Sequence, residues 1–239
     1  MIDSSSSHPT VLTIFGATGD VVAKKIIPAI FRLHIMGKLP PLFRVIGFSR
    51  RELSDAEFQA YVGVLLRKQG ESQVAEDALQ TFTSLFSYIR GNLDVLEDYQ
   101  PLAHALGHFE GVERVCVNSL FYLAVPPDVY EPIFQNLSRS GLATASGYTS
   151  WTRILVEKPI GMDSATSERL DLLMSQLFHE EQIYRIEHYL AKEMIRNLLA
   201  FRFGNNLFEV MWDRSFIERI HIRLWESIGV ESRGSFYDK

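Results

Sequence analysis

Short apolar runs alternate with segments of helical periodicity up to about residue 178, and this alternation restricts the fold more than any other feature. Parallel strands need long crossover connections, which are usually helices. The order therefore predicts an α/β fold, a doubly wound parallel sheet with helices on both faces, whose ligands bind at the carboxyl ends of the strands. Pro28 predicts an irregular first turn in the first helix. The predicted strands are 11–15, 44–49, 86–90, 119–125 and 153–156, and the predicted helices are 23–36, 55–69, part of 93–106, 130–138 and 164–177.

The pattern changes after residue 178, where we place a domain boundary. The stretch 183–203 is rich in ionisable residues and predicts a largely helical segment. The stretch 216–225 alternates apolar and polar residues, which is typical of a strand in an antiparallel sheet with one polar face. We therefore expect domains at 1–178 and 179–239. The second would be the incomplete start of an α+β domain, because roughly 60 residues are marginal for a separate core.

Composition and charge exclude several classes of protein. The 239 residues include 29 acidic and 24 basic side chains, a net charge of −5, so we expect no nucleic-acid partner. The single cysteine, Cys116, excludes an intrachain disulfide framework, and its apolar neighbours predict a buried thiol. We find neither a secretory signal pattern nor an uninterrupted apolar window of membrane-spanning length, and expect a cytoplasmic protein without a membrane span or a metal site.

A glycine-containing turn, Gly16-Ala17-Thr18-Gly19-Asp20, lies between the first predicted strand and helix. Glycines here allow a tight turn and let a pyrophosphate approach the backbone N–H groups at a helix N-terminus. The Gly-x-x-Gly spacing is shorter than the full dinucleotide fingerprint, and many strand–helix turns need glycine for backbone reasons alone. Its position in the first strand–helix unit favours the nucleotide interpretation. We call residues 16–21 the glycine turn.

Two arginines, Arg50 and Arg51, follow the second predicted strand. An NAD site usually offers an acidic side chain here, whereas an arginine accommodates the 2′-phosphate of NADP. The first acidic residue after this strand is Glu52, which follows both arginines. The turn therefore predicts a site for NADP rather than NAD. The alternative is a basic turn that is merely solvated. Lys24 and Lys25 begin the first helix, where cations oppose the helix dipole, so they indicate an anionic ligand unless they simply extend into solvent.

Several motifs, in this order along the chain, resemble the glucose-6-phosphate dehydrogenase family. The glycine turn with Lys24, Lys25 and Pro28 is similar to the family's opening, Glu157–Gly161 to its Glu-Lys-Pro segment, and Arg185–Glu193 to its substrate motif. Further similar segments are 120–127, 202–205 and 234–238. The resemblance implies a Rossmann-like domain and NADP-dependent oxidation of glucose 6-phosphate at C1 to 6-phosphogluconolactone, the first step of the pentose phosphate pathway. A homo-oligomer is expected for the family, with most of its interface missing from this chain.

The resemblance also implies roles for individual residues. The coenzyme would be bound by Gly16, Ala17, Thr18, Gly19, Asp20 and Val21 at the diphosphate, by Arg50 at the 2′-phosphate, by Tyr130 and by Lys158 beside the nicotinamide. The substrate would be bound by His188, Tyr189 and Lys192 at its phosphate and by Glu226 at its sugar hydroxyls. Lys158 would lie between the sugar and the nicotinamide, and Lys25 would reach the reaction centre. Lys192 supplies a point charge for the phosphate, while His188 and Tyr189 supply directional donors. If this segment is helical, His188 and Lys192 lie four residues apart on one face.

The implied reaction transfers a hydride from C1 of the sugar to the nicotinamide, and the proton on O1 leaves to a base. The resemblance makes Lys158 and Glu187 catalytic, with Glu187 in the place of the family's aspartate that orients a histidine base. That histidine follows the last similar segment, and the sequence stops at Lys239, so we expect this chain to lack the base; His221 does not match its position. The alternatives are a non-catalytic NADP-binding truncated paralogue and another sugar oxidoreductase with a Glu-Lys-Pro lysine, against which the substrate motif argues.

Overall fold

The computed structural model describes residues 8–68, 76–107, 116–145, 149–187 and 192–223. Its centre is one six-stranded sheet in the order β3-β2-β1-β4-β5-β6, in which every neighbouring pair is parallel. The chain winds outward from β1 to one edge and then from β4 to the other, so the switch point lies between these two strands. This confirms the predicted doubly wound α/β sheet. The strands are β1 (Thr10–Phe15), β2 (Phe43–Ser49), β3 (Phe86–Arg90), β4 (Asn118–Leu123), β5 (Thr152–Glu157) and β6 (Ile183–Ile186).

Helices connect successive strands and cover both faces of the sheet. They are α1 (Ile27–Ile35), α2 (Asp55–Lys68), α3 (Glu76–Thr83), α4 (Gln100–Ala105), α5 (Tyr130–Arg139) and α6 (Ser164–Leu177), followed after the sheet by α7 (Glu193–Phe203) and α8 (Asn206–Glu209). Short 3-10 turns at Leu96–Tyr99, Pro127–Val129 and Glu180–Gln182 precede α4, α5 and β6.

Two apolar clusters, one on each face of the sheet, form the core. One contains Phe15 and Phe121 of the central strands with Phe134 of α5, and the other contains Ile14 with Phe58 of α2. Successive residues of β1 therefore point into different clusters, and all six of its residues are buried. Coverage of both faces explains why this strand is an apolar run rather than an alternating pattern.

The irregular start of the first helix is confirmed. A π-helical turn, Val22–Ile26, precedes α1, and Pro28 lies in the first turn of α1. Proline has no N–H to donate and its ring crowds the preceding turn, so the regular hydrogen-bond ladder begins only at this point.

Two predictions after residue 178 are wrong in part. Residues 183–186 form strand β6, which pairs with β5, and the helix begins only at Glu193. Arg185 ties this edge strand to Asp171 of α6 at 2.8 Å and to Glu180 at 2.6 Å. The described part of the predicted strand, 216–223, contains neither strand nor helix. Alternation alone does not make a strand when the described residues offer no neighbouring strand to pair with.

The chain forms two compact units, 1–187 and 188–239. The division follows β6, later than the expected boundary at 178, because β6 belongs to the sheet of the first unit. In the second unit, α7 has no buried residue and exposes Met194 and Phe203. Cys116 is only partly buried, contrary to prediction, at the start of the segment that leads into β4. Within the described ranges, no helix has the length and apolarity needed to cross a membrane.

Candidate coenzyme and reaction site

The glycine turn at the end of β1 is held by backbone hydrogen bonds. The Gly16 N–H donates to the Phe48 carbonyl of β2 at 2.9 Å, and the Gly19 N–H donates to the Gly16 carbonyl at 2.8 Å. Gly16 has a φ of +78°, and a Cβ at this position would lie 2.6 Å from Val125 Cγ1 and 2.7 Å from the Ala124 carbonyl oxygen. Only glycine fits both this backbone conformation and this close approach of the β4 loop.

The other residues of the glycine turn differ in accessibility. Ala17 is fully buried and its N–H donates to the Phe48 carbonyl at 3.4 Å, whereas Val21 is 41% exposed. The Thr18 hydroxyl lies 3.0 Å from the Ser49 hydroxyl at the end of β2. Lys24 lies 3.9 Å from the exposed Asp20 carboxylate, a distance typical of a weak surface pair. Lys25 is exposed on the π-helical turn, where it is available to an anion at this edge.

In the turn after β2, residues 50–52, the charged side chains are exposed, and the backbone accepts a hydrogen bond from Tyr88 of β3. Arg50 and Arg51 are exposed. The Tyr88 hydroxyl of β3 lies 2.8 Å from the Arg51 carbonyl and 3.1 Å from the Ser49 carbonyl, and donates to both. The Gly91 N–H also donates to the Ser49 carbonyl, at 3.0 Å. We call residues 50–52 the arginine turn.

Lys158 and Glu187, the residues predicted to be catalytic, meet at the carboxyl ends of β5 and β6. The Lys158 ammonium lies 3.8 Å from a Glu187 carboxylate oxygen, with side-chain exposures of 49% and 29%. The backbone N–H of Lys158 donates to the Ile186 carbonyl at 3.2 Å, and this bond joins the two strand ends. The carboxyl edge of the first unit thus carries the glycine turn after β1, exposed arginines after β2 and an amine–carboxylate pair after β5 and β6.

Comparison with known proteins decides the family. The sequence model described as the NAD binding domain of glucose-6-phosphate dehydrogenase matches residues 13–197, and that of the C-terminal domain matches residues 199–239. The chain belongs to the glucose-6-phosphate dehydrogenase family. The resemblance derived from the motifs is therefore confirmed.

Curated members of the glucose-6-phosphate dehydrogenase family match almost the whole chain. The enzyme named glucose-6-phosphate 1-dehydrogenase from Aggregatibacter actinomycetemcomitans is 40% identical over 228 residues, which are 95% of this chain and 45% of that protein. Its namesake in Schizosaccharomyces pombe is 36% identical over 227 residues, 95% of this chain and 44% of that protein. The chain spans about half the length of the curated relatives it matches.

Solved structures of the family share the fold. A glucose-6-phosphate dehydrogenase in complex with glucose-6-phosphate superposes with a TM-score of 0.74 at 34% identity, covering 87% of this chain and 42% of that one. Glucose-6-phosphate 1-dehydrogenase from Mycobacterium avium gives a TM-score of 0.78 at 29% identity, covering 96% of this chain and 48% of that one.

Tyr130, at the start of α5, is almost fully buried. It is expected to lie against the coenzyme, but only 1% of its surface is exposed and its ring packs on Phe134 with centroids 5.8 Å apart. Burial raises the pKa of Tyr130 to about 12, opposed by a hydrogen bond from the Glu157 backbone. These contacts place Tyr130 next to Glu157 of the Glu-Lys-Pro segment, and its position against the coenzyme stays a prediction.

A second buried tyrosine supports the same segment. The Tyr122 hydroxyl of β4 donates to the Glu157 carboxylate, and burial, followed by the nearby Glu157, raises the pKa of Tyr122. Glu157 directly precedes Lys158. Both tyrosines therefore stay protonated near neutral pH and fix the residue before the lysine.

Three of the residues that the family motif implies for substrate binding, His188, Tyr189 and Glu226, lie outside the described residues. Lys192 is described in the second unit, where it is exposed and precedes α7 as its N-cap. It is therefore not inside α7, and the predicted helical face shared with His188 lies outside the described residues.

Sequence reasoning missed Tyr88. A tyrosine in a buried strand has no pattern that marks it as part of a site, since aromatic residues are common in strands. Only the pairing of β2 with β3 places its hydroxyl behind the arginine turn.

Proposed function

We propose that the carboxyl edge of this sheet binds NADP, in a dehydrogenase that oxidises glucose 6-phosphate at C1 to 6-phosphogluconolactone, the first step of the pentose phosphate pathway. The observation that carries the proposal is the connection between the glycine turn and Arg50. Phe48 and Ser49 hydrogen-bond to the glycine turn, and Arg50 follows them directly. Two anion-binding groups at a fixed spacing fit the diphosphate and the 2′-phosphate of one NADP molecule.

The residue types on this edge fit NADP better than NAD. The turn after β2 offers the exposed guanidinium of Arg50 at the place where NAD sites usually offer a carboxylate. The nearby Glu52 lies 3.3 Å from Arg90, which partly neutralises its charge. The positive charge that remains suits a 2′-phosphate, and a planar guanidinium can bind two phosphate oxygens at once.

The reacting end is assigned to Lys158 and Glu187. NADP, when bound, supplies the acceptor for a hydride from C1 of the sugar. The half-exposed Lys158 ammonium would donate to sugar oxygens, and the Glu187 carboxylate would orient the group that receives the O1 proton. In the family that this sequence resembles, that group is a histidine.

The sugar phosphate would be bound by His188, Tyr189 and Lys192, and the sugar hydroxyls by Glu226, with Lys25 near the reaction centre. These assignments rest on the substrate motif in the sequence. A solved relative that is 34% identical was obtained in complex with glucose-6-phosphate, which supports a site for this sugar in the family. We also propose a cytoplasmic location.

Coenzyme titrations test the binding proposal. The Arg50→Ala variant is expected to weaken NADP binding about 10- to 100-fold, since hydrogen bonds between charged groups contribute roughly 1.5–3 kcal/mol, and to leave NAD binding within about twofold. Arg44→Ala, which removes an exposed arginine at the other end of β2, is the matched control and should change neither constant. An NADP preference that survives Arg50→Ala would contradict the assignment.

The dehydrogenase step is tested separately by following NADPH formation from glucose 6-phosphate. Any NADPH formation is expected to be lost in Lys158→Met, and the NADP affinity of this variant is measured alongside to separate a lost coenzyme contact from a lost chemical step. NADP binding without any turnover by the wild-type protein would instead favour the alternative of a non-catalytic NADP-binding protein.

A further inference from the structure

Tyr88 lies directly behind the arginine turn. Its hydroxyl is 3.1 Å from the Ser49 carbonyl and 2.8 Å from the Arg51 carbonyl, the two carbonyls that flank Arg50 on either side. We propose that Tyr88 is a positioning residue for coenzyme selectivity, which holds the backbone of Arg50 so that its guanidinium faces the 2′-phosphate of NADP. This inference rests on the proposed function, because it requires Arg50 to meet that phosphate.

The Tyr88 side chain is itself fixed. It is 8% exposed and its ring packs against Phe58 of α2 with centroids 5.0 Å apart. Its backbone N–H donates to the Asp55 carboxylate at 2.6 Å, which ties β3 to the first residue of α2. Burial raises the pKa of the Tyr88 hydroxyl, against the opposing effects of Ser49, Arg51 and Arg90. The hydroxyl therefore keeps its proton and can be shared between two carbonyls as a three-centre donor.

The segment that Tyr88 holds is tied to the glycine turn on its other side. The Phe48 carbonyl accepts from the Gly16 N–H, and the Ser49 hydroxyl lies 3.0 Å from that of Thr18. Residues 48–51 are thus held between the glycine turn and β3. The glycine turn makes its last contact with this segment at Ser49, and Tyr88 holds the segment further on, at the Arg51 carbonyl.

This geometry distinguishes NADP from NAD. In NADP the diphosphate and the 2′-phosphate are joined through one ribose, so a displacement of Arg50 relative to the glycine turn weakens the 2′-phosphate contact alone. NAD carries a neutral 2′-hydroxyl at that place instead of a phosphate, so its binding depends little on the position of Arg50. A residue that positions Arg50 should therefore change the ratio of the two affinities, whereas a residue that only stabilises the fold should not.

The test is a titration of NADP and NAD against the wild-type protein, Tyr88→Phe, Arg50→Ala and the double variant. Phenylalanine keeps the ring in its packing and removes only the hydroxyl. We expect Tyr88→Phe to weaken NADP binding about three- to tenfold, the range for loss of one buried hydrogen bond, with NAD binding unchanged. In the Arg50→Ala background the same substitution should have no further effect on NADP, since the two residues act through one contact.

Tyr61→Phe is the matched control. Tyr61 is a partly buried tyrosine whose ring stacks on the same Phe58, with centroids 6.1 Å apart, and its pKa is raised by burial and lowered by the nearby Arg51. Among the described residues its hydroxyl does not bond to the carbonyls that flank Arg50, so its substitution should leave the NADP to NAD ratio unchanged.

The outcomes separate this inference from the proposed function. If the wild-type protein shows no NADP preference that depends on Arg50, the proposed function fails and the inference fails with it. If that preference is present, an unchanged ratio in Tyr88→Phe, or equal weakening of both coenzymes, overturns the role of Tyr88 alone.

Discussion

At β1 and β2 the carboxyl edge of the sheet is held by short hydrogen bonds to the backbone, whereas at β5 and β6 its charged side chains meet at 3.8 Å with partial exposure. The first end depends on Gly16, Phe48 and Tyr88, which are fixed by packing. The second depends on Lys158 and Glu187, whose positions leave room for adjustment. On the proposed function, this comparison predicts a coenzyme end that is preorganised by the fold and a reacting end that is completed by substrate contacts.

The largest expected effect is a substitution at the preorganised end. In Gly16→Ala the added Cβ would meet Val125 and the Ala124 carbonyl at 2.6 and 2.7 Å, in a backbone conformation that L-residues rarely adopt. We expect a loss of about 2–5 kcal/mol in the free energy of unfolding, from the positive φ and the overpacking together. Urea denaturation measures it, and NADP binding should be lost in the same variant.

Gly37 supplies the control for Gly16. It also has a positive φ, +62°, but a Cβ there would have no atom within 4 Å. Gly37→Ala should therefore cost only the conformational part, roughly 1–2 kcal/mol, and leave NADP binding intact. Equal destabilisation by the two variants would break the comparison, because the close approach at Gly16 would then contribute nothing.

A second effect is expected at alkaline pH, from the tyrosines beneath the reacting end. The pKa of Tyr130 is raised by burial from 10.0 to about 12. Between these values the unfolded chain has lost a proton that the folded protein keeps, so stability falls as pH rises, by about 1.4 kcal/mol per pH unit for one tyrosine. Below pH 10 this contribution is fully present.

The free energy of unfolding, measured across this pH range, should show a shallower decline in Tyr130→Phe than in the wild-type protein. Tyr184, which is 44% exposed on β6, offers a control, and Tyr184→Phe should leave the slope as it is. If Tyr130→Phe shows the same dependence of unfolding free energy on pH as the wild-type protein, Tyr130 does not cause the alkaline loss of stability.

The sheet could be predicted because its central strands are buried on both faces, and a strand buried on both faces has an apolar run as its sequence. β6 could not be predicted, because its apolar residues Ile183 and Ile186 are three apart and also fit a helix. Contacts distant in sequence decide its conformation: pairing with β5 and the ion pairs of Arg185 with Asp171 and Glu180.

The site was predicted to the extent that motifs mark it. Motifs mark the glycine turn, Arg50 and the pair of Lys158 with Glu187, whose roles stay predictions. The burial of Tyr130 could not be predicted, because a motif fixes a residue's place along the chain but not its burial. Tyr88 was missed because its contacts depend on how β2 and β3 pair.

The smallest expected effect concerns the stability of the reacting end. Lys158→Met and Glu187→Gln each remove one partner of a partly exposed pair, and such pairs contribute at most about 1 kcal/mol. Tyr122→Phe, at the same end but buried, removes the donor to Glu157 and should cost about 1–3 kcal/mol. Urea midpoints of the three variants test this order. If loss of Lys158 destabilised the fold as much as loss of the Tyr122 hydroxyl, the amine would be a structural element, and the contrast between a fixed coenzyme end and an adjustable reacting end would fail.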